Sequence, residues 1–276
     1  MPDTKIYIAN HEHPYMSDGA YYFALSDYPR ITAWELKKLL AFIEYEERYG
    51  RQTETVCQND TVSAAVKNAL ARPETVADTP LPEKITECTY CRQNGCLTRF
   101  VCHTATIENA KKILECGKLL SAVKAFNKSA NELVLDSRNA AGDPADYFDY
   151  IMFAWGNCIA GDRLVMERTL GRNPNEDDLA GINFNPGVRF YFRYEDIIKH
   201  PGFVFDGSHP AKVKDELVLS DYLYACVIPE KHREGFEFEF KHIIQPETAD
   251  KIHYLPQEGF GLLDWAEKVY DFINYS

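Results

Sequence analysis

The 276-residue sequence contains no apolar run approaching bilayer-spanning length, which excludes a transmembrane helix. It also lacks a basic excess: 30 Lys and Arg stand against 42 Asp and Glu, giving a net charge of −12. That balance disfavours a broad electrostatic grip on nucleic acid, although a local basic groove is compatible with it. No internal repeat and no low-complexity tract is present. The opening residues, Met1-Pro2-Asp3-Thr4-Lys5, lack the charged and apolar regions of a signal peptide, so a cytoplasmic location is expected. In that setting the eight cysteines read as reduced thiols rather than a disulfide framework. What the chain does have is aromatic material. Its 17 Tyr and 16 Phe are ample for a core and for stacking surfaces. The length suits one large domain or two small ones.

Lys5-Ile6-Tyr7-Ile8-Ala9 and Tyr21-Tyr22-Phe23-Ala24-Leu25 read as short strands. Between them, His11 and His13 have a spacing that puts both rings on one face of a strand. Pro14 and the lack of a third ligand nearby favour a polar loop instead. Thr32 with Glu35 is a capping box, and Trp34, Leu36, Leu39, Leu40, Ile43 and Tyr45 form a helical stripe ending near Gly50. A second helix is predicted from Thr61 to Ala71. Residues 73–84, with Pro73, Pro80 and Pro82 among polar residues, read as a linker. Cys88, Cys91 and Cys96 make an incomplete zinc pattern. The fourth ligand is missing, so the expectation is ordinary thiols without metal, with a structural zinc or a redox pair as the alternatives.

From Arg99 onward the pattern is mixed, with many short strands. A strand ends in His103. A helix follows with Ile107, Ala110, Ile113 and Leu114 on one face, Thr104 or Thr106 as its cap and Gly117 as its stop. Residues 126–146 are polar and read as an exposed loop or lid. An aromatic strand is predicted over 147–156, a helix from Asp162 to Leu170 and a strand at Val188–Phe192. The C-terminal stretch 262–273 is an amphipathic helix. In Lys214-Asp215-Glu216-Leu217-Val218-Leu219, a carboxylate sits beside an apolar run that ought to be buried, and such a carboxylate needs a reason.

The order of these parts resembles the ADP-ribosyltransferase fold, most closely the DarT-type toxins that modify bases in single-stranded DNA. The His103-Thr104 strand end is joined by four further segments: Asp149-Tyr150-Ile151-Met152-Phe153, Gly187–Phe192, Phe203–Ala211 with its Asp206-Gly207 turn, and Asp215–Val218 followed by Ile228-Pro229. The match covers about residues 98–235. It implies an α+β fold of split mixed and antiparallel sheets with flanking helices over 98–276. Residues 1–84 would then be a small N-terminal α/β accessory module. It also implies NAD as a substrate, an acceptor that is a nucleic acid or a protein, and a toxin or phage-defence role with an antitoxin as a partner.

By the same resemblance, Glu216 would be the catalytic carboxylate. It would bond a ribose hydroxyl and stabilise an oxocarbenium-like centre. His103, with Thr104, would hold the nicotinamide-side ribose. Tyr150, Tyr147 or Trp155 would stack on the nicotinamide ring, and Arg138 would reach the pyrophosphate. The same residues taken without the family read as a solvent-facing glutamate, a structural histidine and core aromatics. Two alternatives are a non-catalytic binding module, and NAD hydrolysis or RNA phosphate transfer on the same fold. The DarT pattern also has a basic lid and a Pro-Arg-Ser run. Here those places hold Asn131–Arg138 and Gly156–Arg163, which are less basic. Any basic groove must be assembled from scattered residues such as Arg138, Arg163, Arg189 and Arg193, which puts a DNA acceptor in doubt.

Overall fold

The computed structural model describes residues 3–88, 95–135, 143–240 and 246–275. The chain begins with β1 (Thr4–Ala9), β2 (Tyr15–Ser17), β3 (Ala20–Ala24), α1 (Ala33–Arg48), β4 (Thr53–Val56) and α2 (Asp60–Ala71). The first sheet has the order β2-β3-β1-β4, with β1 parallel to both β3 and β4. Ile6, Ile8, Tyr21 and Phe23 alternate onto one face and bury against Leu39, Phe42, Val62 and Val66 of the two helices. The capping box forms as predicted: Thr32 accepts from the Glu35 amide and the Glu35 carboxylate accepts from the Thr32 amide. Residues 73–84 contain the turn of helix α3 (Glu74–Ala77). Its Val76 is buried, and Lys37 Nζ donates to Thr79 O at 2.8 Å.

The hairpin of β5 (Lys84–Ile85) and β6 (Cys96–Leu97) leads into β7 (Phe100–Ala105), α4 (Ile107–Cys116) and β8 (Lys118–Leu120). Short helices α5 (Ala122–Phe126) and α6 (Ala130–Val134) follow, then a 3-10 turn at Ala145–Asp149, β9 (Tyr150–Trp155) and α7 (Ala160–Leu170). The remaining strands are β10 (Val188–Arg193), β11 (Phe203–Val204), β12 (Ala211–Lys214), β13 (Glu216–Val218), β14 (Leu223–Pro229) and β15 (Ile252–Leu255). A helix at Leu262–Tyr275 closes the described chain. Among the described residues, no helix is long and apolar enough to cross a membrane.

Seven strands make one mixed sheet, ordered β11-β12-β9-β7-β10-β14-β15, antiparallel throughout except for the β14–β15 pair. With its flanking helices it places the chain in the α+β class. Both faces are buried. Val101, Ala105, Phe153, Phe190 and Val213 face the side where α4 lays Ala110 and Leu114. Phe100, Cys102, Tyr191, Ala225 and Val227 face the C-terminal helix through Trp265, Val269 and Ile273. That helix covers only part of its face. Towards β9 and β12 the cover comes from α1 and its end, where Tyr45 of the helix meets Lys212 and Tyr49, just past it, meets Tyr150. The Asp206-Gly207 turn lies tightly on α1. A Cβ on Gly207 would stand 1.9 Å from Lys38 O, so only glycine fits.

Candidate functional site

Glu216 owes its position to the residue before it. Asp215 has φ 65°, in the left-handed region that aspartate tolerates better than most residues. Its amide donates to Asp149 O at 3.0 Å, and its carbonyl accepts from Ser121 N at 2.7 Å. The kink takes the chain out of the large sheet, where Lys214 pairs with Tyr150, and onto β8, where Glu216 pairs with Leu120. Leu217 is fully buried in the core on the α4 side. Glu216, one residue earlier, is left with its side chain 42% exposed and Oε1 2.9 Å from Lys118 Nζ. The Lys118 hydrogen bond and charge hold this carboxyl below the usual glutamate range. The carboxylate that the sequence placed beside a buried run is therefore ionised, fixed and reachable from solvent.

His103 sits within β7 rather than at its end, because the strand continues to Ala105. Its Nδ1 lies 3.2 Å from Met152 O, and its ring meets Phe153 edge to face. Burial pushes the imidazole pKa down, and the Met152 carbonyl opposes this. Its register partner is Phe190, so His103 points to the α4 side of the sheet, on which Leu119 and Leu217 of the β8–β13 ladder pack, while Glu216 alternates away from Leu217. Thr106, not Thr104, caps α4, accepting from Asn109 N. Thr104 points to the other face, where α7 presses on it. A Cβ on Gly161 would stand 2.4 Å from Thr104 Oγ1.

The three aromatic candidates are all buried; Tyr147 and Tyr150 both flank Lys212, and Trp155 lies apart from them. Tyr147 lies in the 3-10 turn, not in the strand predicted over 147–156, and is fully buried between Tyr45, His209 and Lys212. Tyr150 opens β9 and shares a face with Lys212 and Met152. Burial and a hydrogen bond with Tyr49, 2.5 Å between the two hydroxyls, raise its pKa. Trp155, five residues further on, faces the opposite side and packs on Tyr194. At about 3.3 Å per residue the two are some 16 Å apart along the strand, so they cannot sandwich one ring. The large sheet thus places His103 and Trp155 on the α4 side, and Tyr150 and Thr104 on the other. Arg138 and Cys91 lie outside the described residues. Among the described residues, no group of three or more His, Cys, Asp or Glu is arranged to hold a metal ion.

Arg189 departs from the sequence expectation. A place in a basic groove is expected of it, yet it is fully buried. Its Nε donates to Asp162 Oδ2 at 2.8 Å, Nη2 also bonds that carboxylate, and the two terminal nitrogens reach Gly156 O and Cys158 O at 3.1 Å. The guanidinium is the internal strut of the loop 156–162 and offers nothing to a phosphate.

Comparisons with family models, curated proteins and solved structures return no match for this chain.

Proposed function

We propose that residues 98–276 are an NAD-dependent ADP-ribosyltransferase that acts as a toxin or phage-defence effector on a nucleic acid or protein. The observation that carries this reading is the presentation of Glu216. A left-handed aspartate precedes one ionised, half-exposed carboxylate, ion-paired with Lys118 across the β8–β13 ladder, whose Leu119 and Leu217 pack on the side of the sheet that His103 faces. Further support comes from the five segments that carry the family resemblance. They supply β7, β9, β10, β11 with β12, and β14, which adjoin in the large sheet, and β13, which pairs with β8 in a separate ladder.

The chemistry suits that carboxylate. The bond between the ribose C1′ and the nicotinamide nitrogen breaks, and nicotinamide leaves with the electron pair. Positive charge develops on the ribose, and an acceptor nucleophile forms the new bond to C1′ and loses its proton. A fixed carboxylate that accepts from a ribose hydroxyl stabilises the developing charge. Among the described residues the Glu216 ion pair uses Oε1 alone, which leaves Oε2 to accept from the substrate. His103, kept neutral by burial, is a hydrogen-bonding group rather than a cation here.

Incubation with NAD labelled in its ADP-ribose part, together with DNA, RNA and protein, tests the reading. Label transfer separates an enzyme from a binding module, and the labelled polymer names the acceptor class. Release of free ADP-ribose alone would point to an NAD hydrolase. No turnover of NAD under any condition would overturn the proposal.

A further inference from the structure

The N-terminal segment does more than cover the sheet. Thr4 Oγ1 on β1 donates to Glu46 Oε2 at 2.7 Å, and Glu46 on α1 is fully buried. Arg51, just past the end of α1, grips both Glu46 oxygens at 3.0 and 2.7 Å and reaches Asp146 Oδ1 at 2.5 Å. Tyr45 donates to the other Asp146 oxygen, also at 2.5 Å. Tyr49 carries the Arg51 guanidinium 5.3 Å above its ring and bonds the Tyr150 hydroxyl. Three of these contacts, from Arg51 and Tyr45 to Asp146 and from Tyr49 to Tyr150, end on residues 146–150. That stretch supplies Asp149 O, the acceptor for the amide of Asp215, the residue that aims Glu216.

We propose that Arg51 and Tyr49 are positioning residues for Glu216, so that the N-terminal segment sets the geometry of the candidate site from behind. The inference rests on the transferase reading for its catalytic consequence, but not for its mechanical part. An interface needed only for stability would do as well with apolar side chains, since well-packed hydrophobic residues often replace a buried ion pair without loss. Here a guanidinium and two phenols from the N-terminal segment converge on residues 146–150, and the same stretch accepts from the Asp215 amide through Asp149 O.

The test uses the full chain and three variants, Arg51→Met, Arg51→Lys and Tyr49→Phe. Amide hydrogen exchange without any ligand is expected to quicken about tenfold at Asp215 and across 146–150 in Arg51→Met, with Arg51→Lys intermediate. Label transfer from NAD is expected to fall about tenfold in kcat in Arg51→Met and less in Tyr49→Phe, with KM changed less. In a Glu216→Gln background the Arg51→Met substitution is expected to cost nothing further, because the two act in series. Wild-type exchange at Asp215 in both Arg51→Met and Tyr49→Phe overturns the proposal, as does full additivity with Glu216→Gln. If Arg51→Met fails to fold, Tyr49→Phe, which removes one oxygen and keeps the ring, carries the same two readouts. If the wild-type chain neither transfers label nor consumes NAD, the transferase reading falls. The exchange measurement then decides on its own whether this clamp holds Asp215.

Discussion

Asp206 and Lys212 form an ion pair from which water is excluded, with Nζ 2.6 Å from Oδ2 and neither side chain exposed. The Asp206 carboxylate also accepts from the amides of Ser208 and His209 and from His209 Nδ1. The Lys212 ammonium lies 3.0 Å from the centroid of the Tyr147 ring. Burial pushes the Asp206 pKa up, but Lys212 and His209 outweigh it and hold the group well below the usual carboxylate range. Removing one partner strands a charge. Asp206→Ala is expected to destabilise the protein by about 3–5 kcal/mol, and adding Lys212→Met should restore much of the loss. Urea midpoints measure both. A single variant within about 1 kcal/mol of wild type would show that the pair contributes little.

Asp215 offers a conformational test. Valine is strained in the left-handed region, so Asp215→Val should cost about 1–2 kcal/mol and displace Glu216 from Lys118. Asp215→Gly accepts the same φ and should leave the ion pair in place. Equal stability of the two variants would mean that the left-handed backbone is not what holds this corner.

Glu216→Gln keeps shape and removes charge. Turnover of NAD should fall by roughly a hundredfold or more while NAD binding changes little. Unchanged turnover would remove Glu216 from the mechanism.

Stability should respond to pH in two separate windows. Burial lowers the pKa of His103, His200, His232 and His253. Unfolded histidines titrate near about 6.5, so the stability carried by the neutral rings is complete above that pH and is lost as pH falls below it. Asp206, whose folded pKa is depressed, adds stability that is present above about 3.9 and is lost only at lower pH. Melting temperature should therefore drop between about pH 6.5 and 5, then again below about 4. A flat profile from pH 7 to 5 would contradict the histidine part.

Binding to random single-stranded DNA should be undetectable at low micromolar protein in physiological salt. Tracking a phosphate backbone needs several Lys or Arg together, and burial of Arg189 takes one away from an already acidic chain. Tight binding with a steep salt slope would return DNA to the front of the acceptor classes.

The local features were readable from sequence because their causes are local. Thr32 and Glu35 lie three residues apart, and Gly117 and Gly171 end helices by adopting positive φ within the same turn. Lys212 and Arg189 were not readable. On strands whose alternate residues are apolar, both look like members of a solvated face. Lys212 is buried because α1 arrives from residues 33–48, and Arg189 because Asp162 projects from α7, 27 residues earlier. Which aromatic accompanies His103 depends on the β7–β9 register, a pairing across about fifty residues that no window of sequence contains. The kink at Asp215 gave no signal either, since aspartate is unremarkable before a strand.

The strand order also fixes when the fold can be finished. β7, at the centre of the large sheet, is flanked by β9 and β10, and the next positions outward are taken by strands made much later in the chain. One face waits for α1 to find partners more than a hundred residues downstream, and its remainder waits for Trp265, Val269 and Ile273. With so many pairings between distant segments, folding should be slow for a chain of this size. The carboxylate at Glu216 therefore cannot be set in a completed scaffold until nearly all the described residues have been synthesised, so a nascent chain would carry the whole sequence of the candidate site well before it carried its geometry.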